Sequence, residues 1–203
     1  MVIFRSFYVF ARQNGLRCAL AGAFNDRRHE RVFGTGTVID SLRLRVHIAQ
    51  RLGVDPASVD ATVVGEHGKS SVALWSSATV GGQPVESLLG DGGHPAADIE
   101  AEIAEEVADA NITIIEGIGA SQYGIGIVCA RLAEAVLRDE GCVLPVASYQ
   151  EQYGVTLSLP SVIGRTGVTR TLTPKMSESE RDGLKHSAEV LRDALAGVRR
   201  RQA

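Results

Sequence analysis

Apolar residues along this chain recur with changing period, and each change predicts an element. After Gly34-Thr35-Gly36-Thr37 the pattern turns helical over residues 39–52, with Gly53 as the stop and Asp55-Pro56 as the turn beyond it. Residues 61–64 form a short apolar run leading straight into Gly65-Glu66-His67-Gly68, and residues 71–80 have strand character up to Gly81-Gly82. Past a glycine-rich loop at 91–94, Ile99, Ile103, Val107 and Ala110 recur at helical spacing. They predict a long helix over about 96–116, broken by Gly117 and Gly119. Ile125, Val128, Leu132 and Val136 predict another over 121–139, with Gly141 as its C-terminal stop. Residues 142–148, 155–159 and 168–172 read as strands punctuated by Pro160 and Gly164. Ser177-Glu178-Ser179-Glu180 is a capping box, in which a Ser hydroxyl and a Glu side chain satisfy orphan amides reciprocally. The apolar stripe Leu184, Ala188, Leu191, Leu195 and Val198 follows it. Helices packed on one side of a mostly antiparallel sheet make an α+β domain.

Composition narrows the class. Of 203 residues, 44% are apolar and 22% charged, which fits a globular chain with a real core. Aromatic residues are 5%, so that core is built from Val, Ile, Leu and Ala. A net charge of −3 without long runs of one sign argues against nucleic acid or a membrane surface as partner. No apolar stretch reaches the length of a bilayer span. Cys18, Cys129 and Cys142 have no metal-ligand spacing and read as reduced thiols of a cytoplasmic protein. His29, His47 and His186 have no ligand spacing either, so no metal is expected. His94 reads as a solvent-exposed loop residue, Trp75 as a core or interface residue, and Glu105-Glu106 as a solvated helix face. Residues 1–26 carry Arg5, Arg12 and Arg17 with no acid before Asp26, and stand apart as a leader. Residues 27–203 read as one domain.

Asp40, Arg43 and His67 carry the candidate chemistry. Asp40 and Arg43 stand three apart near a helix start and so project from one face. His67 lies between glycines that leave its imidazole uncrowded. An Arg fork grips a carboxylate bidentately. A His moves a proton at neutral pH. An Asp behind it fixes the tautomer and steadies the imidazolium. These are the requirements for reducing a 2-keto acid. A dinucleotide fold would need a strand, a G-x-G-x-x-G turn and a helix. Gly34-Thr35-Gly36 has Ile39 at the sixth position, and Gly124-x-Gly126 lies within a helical stretch.

The segment Gly34-Thr35-Gly36-Thr37-Val38-Ile39-Asp40-Ser41-Leu42-Arg43 resembles the L-lactate/malate dehydrogenase segment that carries a His-orienting Asp and a substrate Arg. Gly65-Glu66-His67-Gly68-Lys69-Ser70-Ser71-Val72 resembles that family's catalytic His loop, and the 24 residues from Arg43 to His67 agree with it. Ser121-Gln122-Tyr123-Gly124-Ile125-Gly126 is similar to the substrate-pocket segment. Tyr153-Gly154-Val155, Leu157-Ser158-Leu159-Pro160, Gly164-x-x-Gly167-Val168 and the final helix with Leu184, Ser187 and Ala188 follow in the family's order.

The resemblance covers about residues 27–197 and implies the catalytic, C-terminal half of an NAD-dependent L-lactate dehydrogenase. In that reading His67 exchanges the proton, Asp40 orients it, Arg43 binds the substrate carboxylate and Ser121 lines the pocket. It also implies NAD as cofactor, a small 2-hydroxy or 2-keto acid as substrate, and a homo-oligomer. The NAD-binding half, with its carbonyl-polarising Arg and its substrate Asn, has no counterpart here. The chain is therefore expected to be weakly active or inactive by itself. Malate dehydrogenase chemistry, or a truncated remnant that only folds and associates, are the alternatives. Lys69 stands where the family has Asp and, if near, would weigh against a charged His67. Arg45 matches the Arg through which some bacterial members bind fructose 1,6-bisphosphate, but Asp60 holds the position of the accompanying His, so that activation is not expected.

Overall fold

The computed structural model describes residues 8–10, 31–90, 95–119 and 122–202. Two short strands come first, β1 (Tyr8–Phe10) and β2 (Val32–Gly34), paired in parallel. Helix α1 (Val38–Leu52) follows and ends on Gly53, whose φ of 65° closes the helix as the sequence predicts. Its N-cap, Thr37, makes no side-chain cap and sends its hydroxyl across to the Val63 carbonyl at 2.5 Å instead.

Next come five short pieces: β3 (Val59–Asp60), β4 (Val63–Val64), β5 (Val72–Ala73), β6 (Thr79–Val80) and β7 (Gln83–Pro84). Here the single strand expected over 71–80 is corrected. A 3₁₀ turn at Trp75–Ser77 interrupts it, because the Glu180 carboxylate captures both the hydroxyl and the N–H of Ser76 and draws the backbone out of extension. Helices α2 (Val85–Leu89) and α3 (Ala96–Ile118) follow. Gly117 is accommodated inside α3, and Gly119 at φ 80° is the actual stop. Helix α4 (Tyr123–Leu137) ends before Gly141, with Asp139 at φ 56° making the turn.

The long hairpin β8 (Cys142–Gln150) and β9 (Val155–Gly164) is continued by β10 (Gly167–Thr171), and the five-stranded sheet runs β1-β2-β8-β9-β10. β9 passes straight through Pro160, where a strand end was expected. Ser158 exchanges both backbone hydrogen bonds with Gly65, so its cross-hairpin pair with Ala147 is a non-hydrogen-bonded one. By alternation Pro145 opposite Pro160 is another, and neither missing N–H is owed to the hairpin.

Three apolar clusters hold these layers. Leu44, Ile48, Val59, Val63, Val85 and Ile103 join α1, α2 and α3. The open half of the hairpin, with Val146 and Ile163, packs on Val128, Leu132 and Val136 of α4. The half near its turn, with Val155, Leu157 and Leu159, packs on Leu184, Ala188 and Leu191 of the last helix, α5 (Glu178–Gln202).

The capping box forms as predicted. The Glu180 N–H donates to Ser177 Oγ at 3.2 Å, and the Ser177 N–H donates to Glu180 Oε2 at 2.6 Å. Burial pushes the Glu180 carboxyl up, but its hydrogen bonds from Ser76 and Ser177 outweigh this and leave it below the usual carboxylate range. Ser177→Ala is expected to destabilise the domain by about 1 kcal/mol, read as a lower denaturation midpoint at unchanged slope.

Candidate active site

Two short-range devices bring α1 to the loop after β4. Thr37 reaches the Val63 carbonyl, and Ser41 Oγ accepts the Val63 N–H at 2.9 Å. α1 is thereby stitched to the strand that runs into Gly65-Glu66-His67. Asp40, one residue before Ser41, is buried and faces that loop.

Asp40 Oδ2 and His67 Nδ1 lie 2.6 Å apart, and Arg43 Nη1 lies 3.7 Å from Asp40 Oδ1. The i,i+3 face expected from the sequence therefore converges with the glycine-flanked imidazole. The hydrogen bond to Asp40 raises His67 above its ordinary value. Burial and the Arg43 charge oppose this, while the Asp40 and Glu66 charges add to it. Burial pulls the Arg43 guanidinium down from its ordinary value, Asp40 opposes that, and the residue stays charged at any working pH. An anchored guanidinium beside an imidazole whose Nδ1 is occupied can hold a carboxylate and pass a proton through Nε2.

A folded-state His value above the unfolded one adds stability that is fully present below about pH 6.5 and is lost as pH rises through the raised value. The domain is expected to weaken to denaturant across that neutral-to-alkaline window, and Asp40→Asn to flatten this dependence. Urea melts from pH 5.5 to 9 check both.

Other expected residues are placed differently. Ser121 and His94 lie outside the described residues, as do Cys18, His29 and all of the leader except Tyr8–Phe10. Lys69 is exposed, and the charges that act on His67 are those of Asp40, Arg43 and Glu66. Arg45 is spent within the fold: Nε donates to the Ala61 carbonyl at 2.9 Å, and Nη2 lies 3.5 Å from Asp60. Glu105 and Glu106 are exposed, as expected, and Glu106 also bridges α3 to α1 through His47 at 2.8 Å and Arg51 at 3.4 Å. Trp75 is partly buried against the α1–α3 cluster. Among the described residues, no three His, Cys, Asp or Glu side chains gather as a metal site.

Ser187 escaped the reading of site residues. It is fully buried on α5, and its Oγ accepts the Glu66 N–H at 2.7 Å. The signal available was a hydroxyl set on the apolar stripe between Leu184 and Ala188.

The β2–Gly36–α1 turn runs strand, glycine and helix in order, but it does not fit a dinucleotide. A Cβ on Gly36 would lie 2.5 Å from the Ala147 nitrogen and 2.7 Å from the Pro145 carbonyl, so the hairpin already fills the space a pyrophosphate needs. The Thr37 N–H is spent on Pro145 O at 3.1 Å.

Residues 37–201 match the lactate/malate dehydrogenase, alpha/beta C-terminal domain. The chain belongs to that family. L-lactate dehydrogenase of Deinococcus radiodurans is 48% identical over 162 residues, covering 79% of this chain and 53% of that protein. The Thermus aquaticus enzyme is 45% identical over 174 residues, covering 83% and 56%. The crystal structure of minor L-lactate dehydrogenase from Enterococcus mundtii superposes with a TM-score of 0.85 at 33% identity, covering 90% of this chain and 60% of that one. The chain thus spans about half the length of the curated relatives it matches.

Proposed function

We propose that this domain is the substrate-gripping, proton-handling part of an NAD-dependent L-lactate dehydrogenase, interconverting pyruvate and L-lactate. The observation that carries the reading is the 2.6 Å Asp40–His67 contact with Arg43 alongside. Arg43 binds the substrate carboxylate. His67 Nε2 gives its proton to the keto oxygen and takes it back in the reverse direction, while Asp40 holds Nδ1 and steadies the imidazolium. Ser121 lines the pocket by resemblance. The nicotinamide supplies the hydride, and the closed turn at Gly36 means that other residues have to hold it.

Homo-oligomerisation is part of the proposal. It is supported by Tyr123 and Ile127 of α4, 73% and 68% exposed, and by Leu42 and Val46, one turn apart on the outer face of α1. A cytoplasmic site of action is also part of the proposal; no helix among the described residues is long and apolar enough to cross a membrane.

The test is a fusion. The NAD-binding half of the Thermus aquaticus relative, placed ahead of Arg27, is expected to oxidise NADH with pyruvate and to prefer pyruvate to oxaloacetate. A folded fusion that binds NADH but turns over neither acid refutes the reading. Preference for oxaloacetate would replace lactate by malate.

A further inference from the structure

The turn that carries His67 is held at Gly65 by Ser158 of β9 and, one residue on, by a hydroxyl on the far helix. Ser187 Oγ, on α5 and fully buried, accepts the Glu66 N–H at 2.7 Å and lies 3.2 Å from Ser70 Oγ. Ser70 in turn donates to Glu66 Oε2 at 2.5 Å. The backbone is shaped to admit this hydroxyl. Gly65 sits at φ 88°, and a Cβ there would come 2.6 Å from Ser187 Oγ. The Glu66 carboxylate folds back over Gly68, where a Cβ would meet its carboxyl carbon at 2.9 Å. Glu66 and Ser70 thus meet at one hydroxyl, with Gly65 packed against it and itself bonded to Ser158 of β9.

We propose that Ser187 is a positioning residue for His67: its hydroxyl fixes the Gly65–Ser70 turn from α5 and so sets where the imidazole and the Glu66 backbone and carboxylate stand. The proposal rests on the reading of His67 as the proton carrier.

The charged groups acting on His67 are Asp40 and Arg43 from α1 and Glu66 from its own turn, and α5 contributes the neutral Ser187 hydroxyl. Arg43 and Asp40 pull in opposite directions. Glu66 sides with Asp40; Ser70 donates to its carboxylate, and Ser187 accepts its N–H and lies against the Ser70 hydroxyl. The arrangement makes proton affinity at His67 sensitive to α5, an element that touches neither Asp40 nor Arg43 in any hydrogen bond or ion pair described here.

The chain itself is sufficient for the test, because proton affinity is read without turnover. In isotope-labelled protein the His67 ring signals are followed against pH, and Glu66 amide exchange is measured alongside. Ser187→Ala is expected to move the His67 titration midpoint to lower pH and to speed exchange of the Glu66 amide about fivefold to tenfold, the worth of one hydrogen bond. Glu66→Gln and Ser70→Ala are expected to lower the midpoint as well, with circular dichroism unchanged. Ser187→Thr, which keeps the hydroxyl, should hold the midpoint nearer the parent value than Ser187→Ala does.

Asp40→Asn serves as the reference. If it lowers the midpoint while folded Ser187→Ala, Ser70→Ala and Glu66→Gln all leave it in place, the positioning proposal is overturned and the Asp–His reading stands. If Asp40→Asn also leaves it in place, the acid–imidazole pair itself is refuted. Should Ser187→Ala fail to fold, Ser70→Ala and Glu66→Gln decide the matter by the same criterion.

Discussion

In the fusion that restores an NAD-binding half, His67→Ala is expected to lower turnover by roughly 10²–10⁴-fold, the usual worth of a positioned general acid. The size follows from how completely the proton path depends on one ring. Nδ1 is occupied by Asp40 at 2.6 Å, so Nε2 alone can reach a substrate oxygen. Alanine leaves the Asp40 carboxylate buried without its partner, which adds a stability loss to the rate loss, so rates are compared on folded protein only. Asp40→Asn is expected to lower turnover with a smaller change in KM, since it disturbs the imidazolium and leaves the guanidinium in place. Arg43→Lys should show mainly in KM, because an ammonium cannot replace a planar fork. Steady-state rates with pyruvate over pH 5.5–9 separate the three. A fusion whose turnover ignores His67→Ala would remove the catalytic assignment.

Gly36→Ala should be the most damaging single methyl in the domain, costing about 3–5 kcal/mol. Part of the loss is conformational: a φ of 54° suits glycine and costs other residues about 1–2 kcal/mol. The larger part is steric. The new Cβ would meet the Ala147 nitrogen at 2.5 Å and the Pro145 carbonyl and Ser158 hydroxyl at 2.7 Å. Two of those three are backbone, which cannot rotate away, so strand and helix must separate. Gly53→Ala is the matched control. Its φ is 65° with nothing within 4 Å, so it carries the conformational cost alone. Equilibrium urea unfolding of the two variants isolates the steric share. Equal losses would mean that the β2–α1 turn yields more easily than its contacts indicate.

Sequence pattern located the long helices because burial follows period on one face, as at Leu44 and Ile48 or at Leu184, Ala188 and Leu191. It singled out Asp40, Arg43 and His67 as candidates because a carboxylate clamp and a proton carrier restrict residue type, and motif resemblance named which Asp and which His; the structure brings the three side chains together. It failed where tertiary contacts override local preference. Ser76 leaves extended backbone only because Glu180, more than 100 residues on, captures it. Pro160 continues a strand only because its missing N–H points away from β8, which depends on pairing phase and not on the proline itself. Ser187 is 121 positions from Glu66, and no local spacing links them.

The Asp40–His67 distance is set by a caliper whose jaws are the two strands of one hairpin. The α1 jaw rests on β8, through Gly36 against Ala147 and through Thr37 on Pro145. The His jaw rests on β9, through Gly65 on Ser158. Ala147 and Ser158 face each other across the ladder, so the pairing phase of β8 with β9 decides how far the jaws stand apart. Slipping that phase by a single residue would offset them by about 3.4 Å and turn every side chain of one strand to the wrong side. It would also carry that strand's proline nitrogen into a position that needs a donor. A copy of this domain that folded one step out of phase would keep its helices and its sheet and lose its acid–imidazole pair, so helical content alone cannot certify a refolded sample. The His67 titration, which reads the Asp40 bond directly, can.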